Sequence, residues 1–184
     1  MTKARIRESS DPGLYVYLYW HYWWAQQNLR DWRKEEGSET SYNDNIANEH
    51  DDLLHLDTEH IKSYGDMVEV CDLLHADDYL THIKKYEKSQ TLSHLFSQGY
   101  ASAVLLGVDE AYKKALVDFA ERHSAEMGEV AMRSPQAVTY TIAFKKQGRG
   151  VTDLPTFSKV NLRDFAKRLT RLRVKPTVAR IQIV

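Results

Sequence analysis

The segment EVCDLLHADDYLTHIKKY, residues 69–86, decides the fold that the sequence predicts. Two runs rich in strand-forming residues, 67–74 and 79–86, are separated only by HADD. That linker is too short for the crossover that joins parallel strands. We therefore expect the two runs to pair as an antiparallel hairpin.

The other elements follow outward from this hairpin. The segment EKSQTLSHLFSQGYASAVLL after it has its apolar residues at helical spacing, which predicts a helix over 91–106. The remaining predicted elements are helices over 14–36, 39–48, 109–125 and 160–173, and strands over 52–57, 137–146 and 177–184. This order predicts one α/β domain over residues 1–184, with a mixed sheet flanked by helices. Within it, residues 1–36 form an aromatic helical segment and residues 37–184 the core.

The order helix, three strands, helix and strand resembles the restriction-endonuclease-like core. In that superfamily an acid on the second strand and an acid-x-lysine on the third bind a divalent metal and orient a water molecule. The positions that match here are Asp72 in EVCDLL, and His82 and Lys84 in THIKKY. The helix after the third strand packs beside the metal site in such folds, which adds Gln98. The resemblance thus implies Asp72, Lys84, His82 and Gln98 as catalytic residues, with Mg or Mn as cofactor.

Asp72 itself admits two interpretations. Strand alternation places it on the same face as Val68, Val70 and Leu74. A lone carboxylate there is costly to bury unless it is paired or bound to a metal. Lys84, across the turn, could form a plain salt bridge with it, or Asp72 could ligate Mg²⁺ while Lys84 orients the attacking water.

His82 departs from the superfamily pattern, which has an acid at this position. Imidazole is a poor ligand for magnesium and a better one for manganese, so a working site would favour Mn²⁺. A second carboxylate must then come from Glu69, Glu39 or Glu49. The predicted metal ligands are Asp72, Glu69 and His82. If no second acid is close, the chain is instead a binding module of the same fold without catalytic activity.

The charge distribution predicts a nucleic-acid partner. The net charge is only −1, yet residues 35–78 carry fourteen acids and one base, whereas residues 145–180 carry eleven bases and two acids. A basic helix suits the phosphate backbone, although the acidic and basic regions could instead attract each other or form solvated faces. The residues expected to contact nucleic acid are Arg163, Lys167, Arg168, Arg171, Arg173 and Lys175.

Composition excludes several other classes. No apolar run is long enough to span a membrane, no signal peptide is recognisable, and the single Cys71 cannot form an internal disulfide, so a cytoplasmic setting is expected. The sequence lacks the G-x-S-x-G elbow of serine hydrolases, paired zinc-ligand spacing and a phosphate-binding glycine loop. The tryptophans and tyrosines of residues 15–32 suit a core, or a docking face for a protein partner or for the missing N-terminal region of a longer parent, and could also stack on bases.

Several blocks resemble an uncharacterised bacterial family that is described as sporadically distributed and of unknown function. They are YN at 42–43, CDLL, HIKK, LSHLFSQG and LPTFSKVNLRDFAKRL, in this order from about residue 39 to the end. Members of that family are longer, so this chain resembles their C-terminal part. The resemblance implies no established activity, but a patchy distribution is typical of genome-defence genes. The intact blocks contain Asp72, Lys84, Ser93, His94 and Gln98.

Overall fold

The computed structural model describes residues 29–184. The helices in this part are α1 Glu39–Glu49, α2 Ser89–Val108, α3 Glu110–His123, α4 Ala125–Met132 and α5 Thr156–Arg171. The strands are β1 Leu53–His55, β2 His60–Ser63, β3 Asp66–Glu69, β4 Leu73–His75, β5 Tyr79–Lys85, β6 Ala137–Phe144 and β7 Lys175–Gln182. Most of the predicted aromatic helix, residues 14–28, lies outside the described residues.

Five strands form one mixed sheet in the order β1-β4-β5-β6-β7. The pairs β1–β4 and β4–β5 are antiparallel, whereas β5–β6 and β6–β7 are parallel. Each parallel pair is joined by a helical connection, as parallel strands require. The predicted α/β class with a mixed sheet flanked by helices is confirmed.

The central hairpin is shorter than predicted. Leu73 pairs with Thr81 and His75 with Tyr79, so β4 and β5 form the expected antiparallel hairpin around HADD. The prediction of one continuous strand over 67–74 is wrong, because residues 70–72 separate β3 from β4. At this break the carboxylate of Asp72 accepts the backbone N–H of Ile83, so a side chain replaces the backbone partner that would extend the ladder.

The strand β3 belongs to a separate two-stranded hairpin with β2 that the sequence did not predict. Its turn is made by Tyr64 and Gly65, both with positive φ, at 49° and 96°. Such turns usually have Asn or Gly at the first position, and a tyrosine there gives no turn signal. The alternation that placed Asp72 with Val68 on one strand face is therefore also wrong.

The two faces of the main sheet bury separate clusters. Leu80, Val138 and Tyr140 pack on one face against α2, α3 and α4, and the helix α2 comes close enough for Gly99 to contact the Tyr140 ring. Ile83, Ala143 and Ala179 pack on the other face with Tyr42 and Ile46 of α1. The acidic helix α1 is thus held against the sheet close to the end of β5.

Side-chain caps fix several helix boundaries. Ser38 accepts the N–H of Ser41 at the start of α1, and Asp109 accepts the N–H groups of Ala111 and Tyr112 at the start of α3. The helix predicted over 109–125 ends earlier, because Ser124 has extended backbone angles and caps α4 in turn. The basic helix α5 starts four residues before its predicted start at residue 160.

Residues 29–33 are not helical, which corrects the end of the predicted helix over 14–36. Trp32 instead forms a parallel bridge with Ile183, and its N–H donates to the carbonyl of Gln182. A single 3-10 turn follows at Lys34–Glu36. Within residues 29–184, none of the helices has the length and apolar character needed to cross a membrane.

Candidate metal centre

Three carboxylates converge at the break between β3 and β4. Asp57 follows β1, Glu69 ends β3, and Asp72 precedes β4. One oxygen from each lies within 4.8 Å of the other two. Asp72 is only 6 % exposed, and the other two are partly buried. Three hard oxygen donors at this separation can hold a divalent cation.

Asp72 receives its hydrogen bonds from neutral donors. Asn43 on α1 donates to Oδ1 at 3.3 Å, and the backbone N–H of Ile83 donates to Oδ2. Burial raises the pKa of this carboxyl well above its usual range, and the negative charge of Glu69 raises it further. An ionised Asp72 therefore lacks a direct cationic partner among the described residues.

Glu69 is anchored by the helices behind it. The Gln98 side chain donates to Glu69 Oε2 at 3.2 Å, and Ser102 and Tyr112 donate to the Glu69 carbonyl. Burial raises the pKa of Glu69, and the negative charge of Asp57 adds to the effect. Gln98 was predicted as a site residue, and the structure places it against one of the three acids.

Asp57 differs from the other two acids because it has a histidine beside it. Its Oδ2 lies 3.9 Å from His55 Nε2, and His55 Nδ1 lies 3.5 Å from Asp44. The interaction with His55 lowers the pKa of Asp57 to about 2, although burial by itself would raise it. Asp57 thus stays ionised while its two neighbours resist ionisation.

Lys84 does not form the salt bridge with Asp72 that was one of the two interpretations. Its ammonium donates to Glu39 on α1, whose other oxygen accepts the backbone N–H of Lys85 at 3.1 Å. Burial lowers the pKa of Lys84, but the Glu39 hydrogen bond and the nearby charges of Asp72 and Glu69 outweigh it, so the pKa rises. Lys84 is therefore a charged ammonium at the edge of the carboxylate cluster.

His82 lies apart from the carboxylates. It is buried, its ring centroid is 6.4 Å from that of Tyr140, and burial lowers its pKa to about 3. Among residues 29–184 its Nε2 has no hydrogen-bond partner. The group of converging ligand atoms contains Asp57 in the place that the sequence assigned to His82.

Of the other acids considered, Glu39 binds Lys84, and Glu49 pairs with Arg30 at 2.9 Å. Sequence reasoning missed Asp57. Its only signal was its place in the acid-rich stretch over 35–78. The antiparallel pairing of β1 with β4 brings it beside Asp72, because His55 pairs with Leu73 and the Leu56 N–H donates to the Asp72 carbonyl, and the sequence did not specify this pairing.

The serines of α2 have structural roles. Ser93 donates to the carbonyl of Ser89 and accepts from Asn161 of α5 at 2.8 Å, which ties the two helices together. Ser97 donates to the carbonyl of His94. These contacts leave neither hydroxyl poised as a nucleophile.

The predicted basic surface lies on and after α5. Leu162, Ala166 and Leu169 are buried on its inner side. Arg168 pairs with Asp164 at 2.8 Å and stacks over Tyr100 and Phe165. The six predicted contact residues are all exposed: Arg163, Lys167, Arg168, Arg171, Arg173 and Lys175.

Comparison with known families gives one assignment. The profile of a family of unknown function, DUF6119, matches residues 11–182, so the chain belongs to that family. This confirms the expected membership in an uncharacterised family. Neither the curated proteins nor the solved structures gave a match.

Proposed function

We propose that this member of the DUF6119 family is a metal-dependent nuclease that hydrolyses phosphodiester bonds in DNA or RNA. The observation that carries the proposal is the convergence of Asp57, Glu69 and Asp72 within 4.8 Å, with the ammonium of Lys84 near enough for the charges of Asp72 and Glu69 to raise its pKa. A group of three acids of which one is buried and two are partly buried is costly for folding and is typical of functional sites.

The topology supports the same proposal. Without the β2–β3 hairpin, the order α1, β1, β4, β5, α2 and β6 is that of the restriction-endonuclease-like core. Asp72 directly precedes the second of these strands, and Lys84 lies near the end of the third. These are the positions at which that superfamily has an acid and a lysine.

The donor set suits Mg²⁺ or Mn²⁺. Both cations bind carboxylate oxygens, and Mg²⁺ is commonly held by one or two carboxylates together with substrate phosphates. The expected preference for Mn²⁺ depended on His82 as a ligand. Because the converging atoms are oxygens of Asp57, Glu69 and Asp72, we propose no preference between the two.

The residues around the acids would position the substrate phosphate and stabilise its charge. A bound cation supplies activation of a water molecule and neutralises charge on the phosphate. Glu39 holds the Lys84 ammonium where it can stabilise the charge that develops on the phosphate, and Gln98 orients Glu69. The exposed bases of α5 would bind the nucleic-acid backbone without reading its sequence.

The test uses purified protein with labelled single- and double-stranded DNA and RNA, in Mg²⁺, Mn²⁺ or EDTA. We expect cleavage that requires the cation. Asp72→Asn and Lys84→Ala should each lower it at least roughly a hundredfold, the scale for losing one preorganised group. Asp66→Asn, which changes an exposed acid on β3, the strand that ends at Glu69, is the matched control. Cleavage that is absent from the wild type, or unchanged in Asp72→Asn, would contradict the proposal.

A second function is favoured by His82. A neutral, buried imidazole stands where the superfamily has an acid, as expected if the site had lost its activity. The chain would then be a non-catalytic module that binds nucleic acid or protein. Salt-sensitive binding of nucleic acid without cleavage in either cation would favour this alternative.

A further inference from the structure

Asn43 is a fully buried amide on the face of α1 that turns toward the acids. It lies one helical turn after Glu39, and the two side chains reach the site together: Glu39 binds Lys84 and Asn43 binds Asp72. Its relative exposure is 0 %, which is unusual for an asparagine.

The hydrogen bonds of Asp72 show what Asn43 does. An ionised carboxylate offers about four acceptor sites on two oxygens. Asn43 Nδ2 occupies one site on Oδ1, and the N–H of Ile83 occupies one on Oδ2. Each oxygen is thereby fixed from one side and keeps a further site for a cation.

The other end of the same amide is unsatisfied. Only the NH₂ group can face an ionised carboxylate, so the orientation of the amide is fixed by Asp72. Asn43 Oδ1 then has no hydrogen-bond donor among residues 29–184. A buried acceptor without a donor destabilises the folded state, and such a group in a native structure requires an explanation. An apolar side chain of similar size would avoid this cost.

We propose that Asn43 is a positioning residue that holds Asp72 in the orientation needed to bind a divalent cation. This rests on the cation site of the proposed function, but it does not require that the site cleaves nucleic acid. Outer partners of metal ligands commonly change metal affinity 10- to 100-fold when they are removed.

The test measures Mn²⁺ affinity of the full chain by calorimetry, together with the melting temperature in EDTA. Asn43→Leu removes the donor and the unsatisfied acceptor at once. We expect it to weaken Mn²⁺ binding at least about tenfold without lowering the melting temperature. A side chain that is merely structural would give the opposite result, with lower stability and unchanged affinity.

Asn45 provides the matched control. It lies on the same helix and donates to Glu36 at 2.9 Å, away from the three acids. Asn45→Leu should leave Mn²⁺ affinity unchanged. Asn43→Ser, whose hydroxyl is too short to reach Asp72, replaces Asn43→Leu if the leucine does not fit.

The outcomes separate this inference from the proposed function. Mn²⁺ affinity equal to wild type in the Asn43 variants, or equal losses in the Asn43 and Asn45 variants, would overturn the inference. So would a wild type that binds no Mn²⁺. Wild-type Mn²⁺ binding without any cleavage would remove the proposed nuclease activity and leave the role of Asn43 intact.

Discussion

The Lys84 ammonium donates to Glu39 of α1, whereas Asp72 accepts its hydrogen bonds from the neutral donors Asn43 and Ile83. The charge of Asp72 nevertheless raises the pKa of Lys84. The ammonium is therefore held beside the carboxylate cluster without being paired to its most buried member. When all three are ionised, Asp57, Glu69 and Asp72 repel one another in the absence of a cation, and this repulsion leads to the first prediction.

Asp72→Asn should raise the melting temperature in EDTA at pH 7.5 by a few degrees. The folded-state pKa of Asp72 is raised, so as the pH rises above its ordinary value of 3.8 the unfolded chain loses the proton first and the wild type is destabilised. The new amide removes this loss and keeps an acceptor for the Ile83 N–H.

The rise in melting temperature caused by Asp72→Asn should become smaller toward pH 4.5, as measured by thermal melts at several pH values. Asp57, with a pKa of about 2, loses its favourable contribution only below this range and does not interfere. Asp66→Asn is the control for removing an exposed acid. If Asp72→Asn lowered the melting temperature at every pH, Asp72 would be part of a stabilising interaction and the account of its charge would be wrong.

Glu39→Gln should lower cleavage, because the Lys84 ammonium loses the charged partner that holds it at the edge of the cluster. The effect should be smaller than that of Lys84→Ala, since a glutamine oxygen can still accept from Lys84. Because the pair is partly exposed, the free energy of unfolding should fall by only about 0.5–1 kcal/mol, measured by urea denaturation.

Glu49→Gln is the matched control on the same helix, since it breaks an ion pair with Arg30 far from Lys84. Glu49→Gln should lower the free energy of unfolding by a similar amount and leave cleavage unchanged. Equal losses of cleavage in both variants would mean that Glu39 acts only through the stability of α1.

Lys167→Ala combined with Arg171→Ala should weaken nucleic-acid binding. Both side chains are exposed one turn apart on α5. Their loss should make the negative slope of log affinity against log salt concentration less steep by roughly 1–2, because fewer counterions are released on binding. Fluorescence anisotropy at several salt concentrations measures this slope.

The control removes two bases from α3 with Lys114→Ala and Arg122→Ala. It should leave the affinity and slope close to wild type. A wild-type affinity independent of salt, or equal effects of the two double variants, would count against α5 as the binding surface.

Gly99→Ala should destabilise the fold by roughly 1–3 kcal/mol, as is usual for overpacking a core. A Cβ at this position would lie 2.6 Å from Tyr140 Cε1 and 2.7 Å from Val138 Cγ1. On the same helix, a Cβ at Gly107 would meet nothing within 4 Å. Gly107→Ala should therefore be neutral or stabilising by up to about 1 kcal/mol, and equal losses in urea melts would refute the close contact of α2 with the sheet.

Local patterns predicted most of the fold. Helices α1, α2 and α5 have apolar residues at helical spacing, and the alternating residues around HADD indicated β4 and β5. The β2–β3 hairpin was not predictable, because Tyr64 at positive φ carries no turn signal. The break between β3 and β4 includes Asp72, whose carboxylate accepts the Ile83 N–H, and local propensity does not encode this contact.

The candidate site was only partly predictable for the same reason. Asp72, Glu69 and Gln98 were named from the sequence and lie in contact or close together. Asp57 and Asn43 reach Asp72 through long-range packing, from 15 and 29 positions away. The partner of Lys84 is Glu39, 45 positions away, and no spacing rule connects residues so distant in sequence.

The most direct test of the account is the stoichiometry and affinity of Mn²⁺ binding to the three acids, measured by calorimetry at pH 7.5. We predict saturable binding to the wild type that is weakened at least about tenfold in each of Asp57→Asn, Glu69→Gln and Asp72→Asn, and is unchanged in Asp66→Asn. A wild type that binds no Mn²⁺, or whose affinity survives all three substitutions, would contradict the assignment of Asp57, Glu69 and Asp72 as a metal centre.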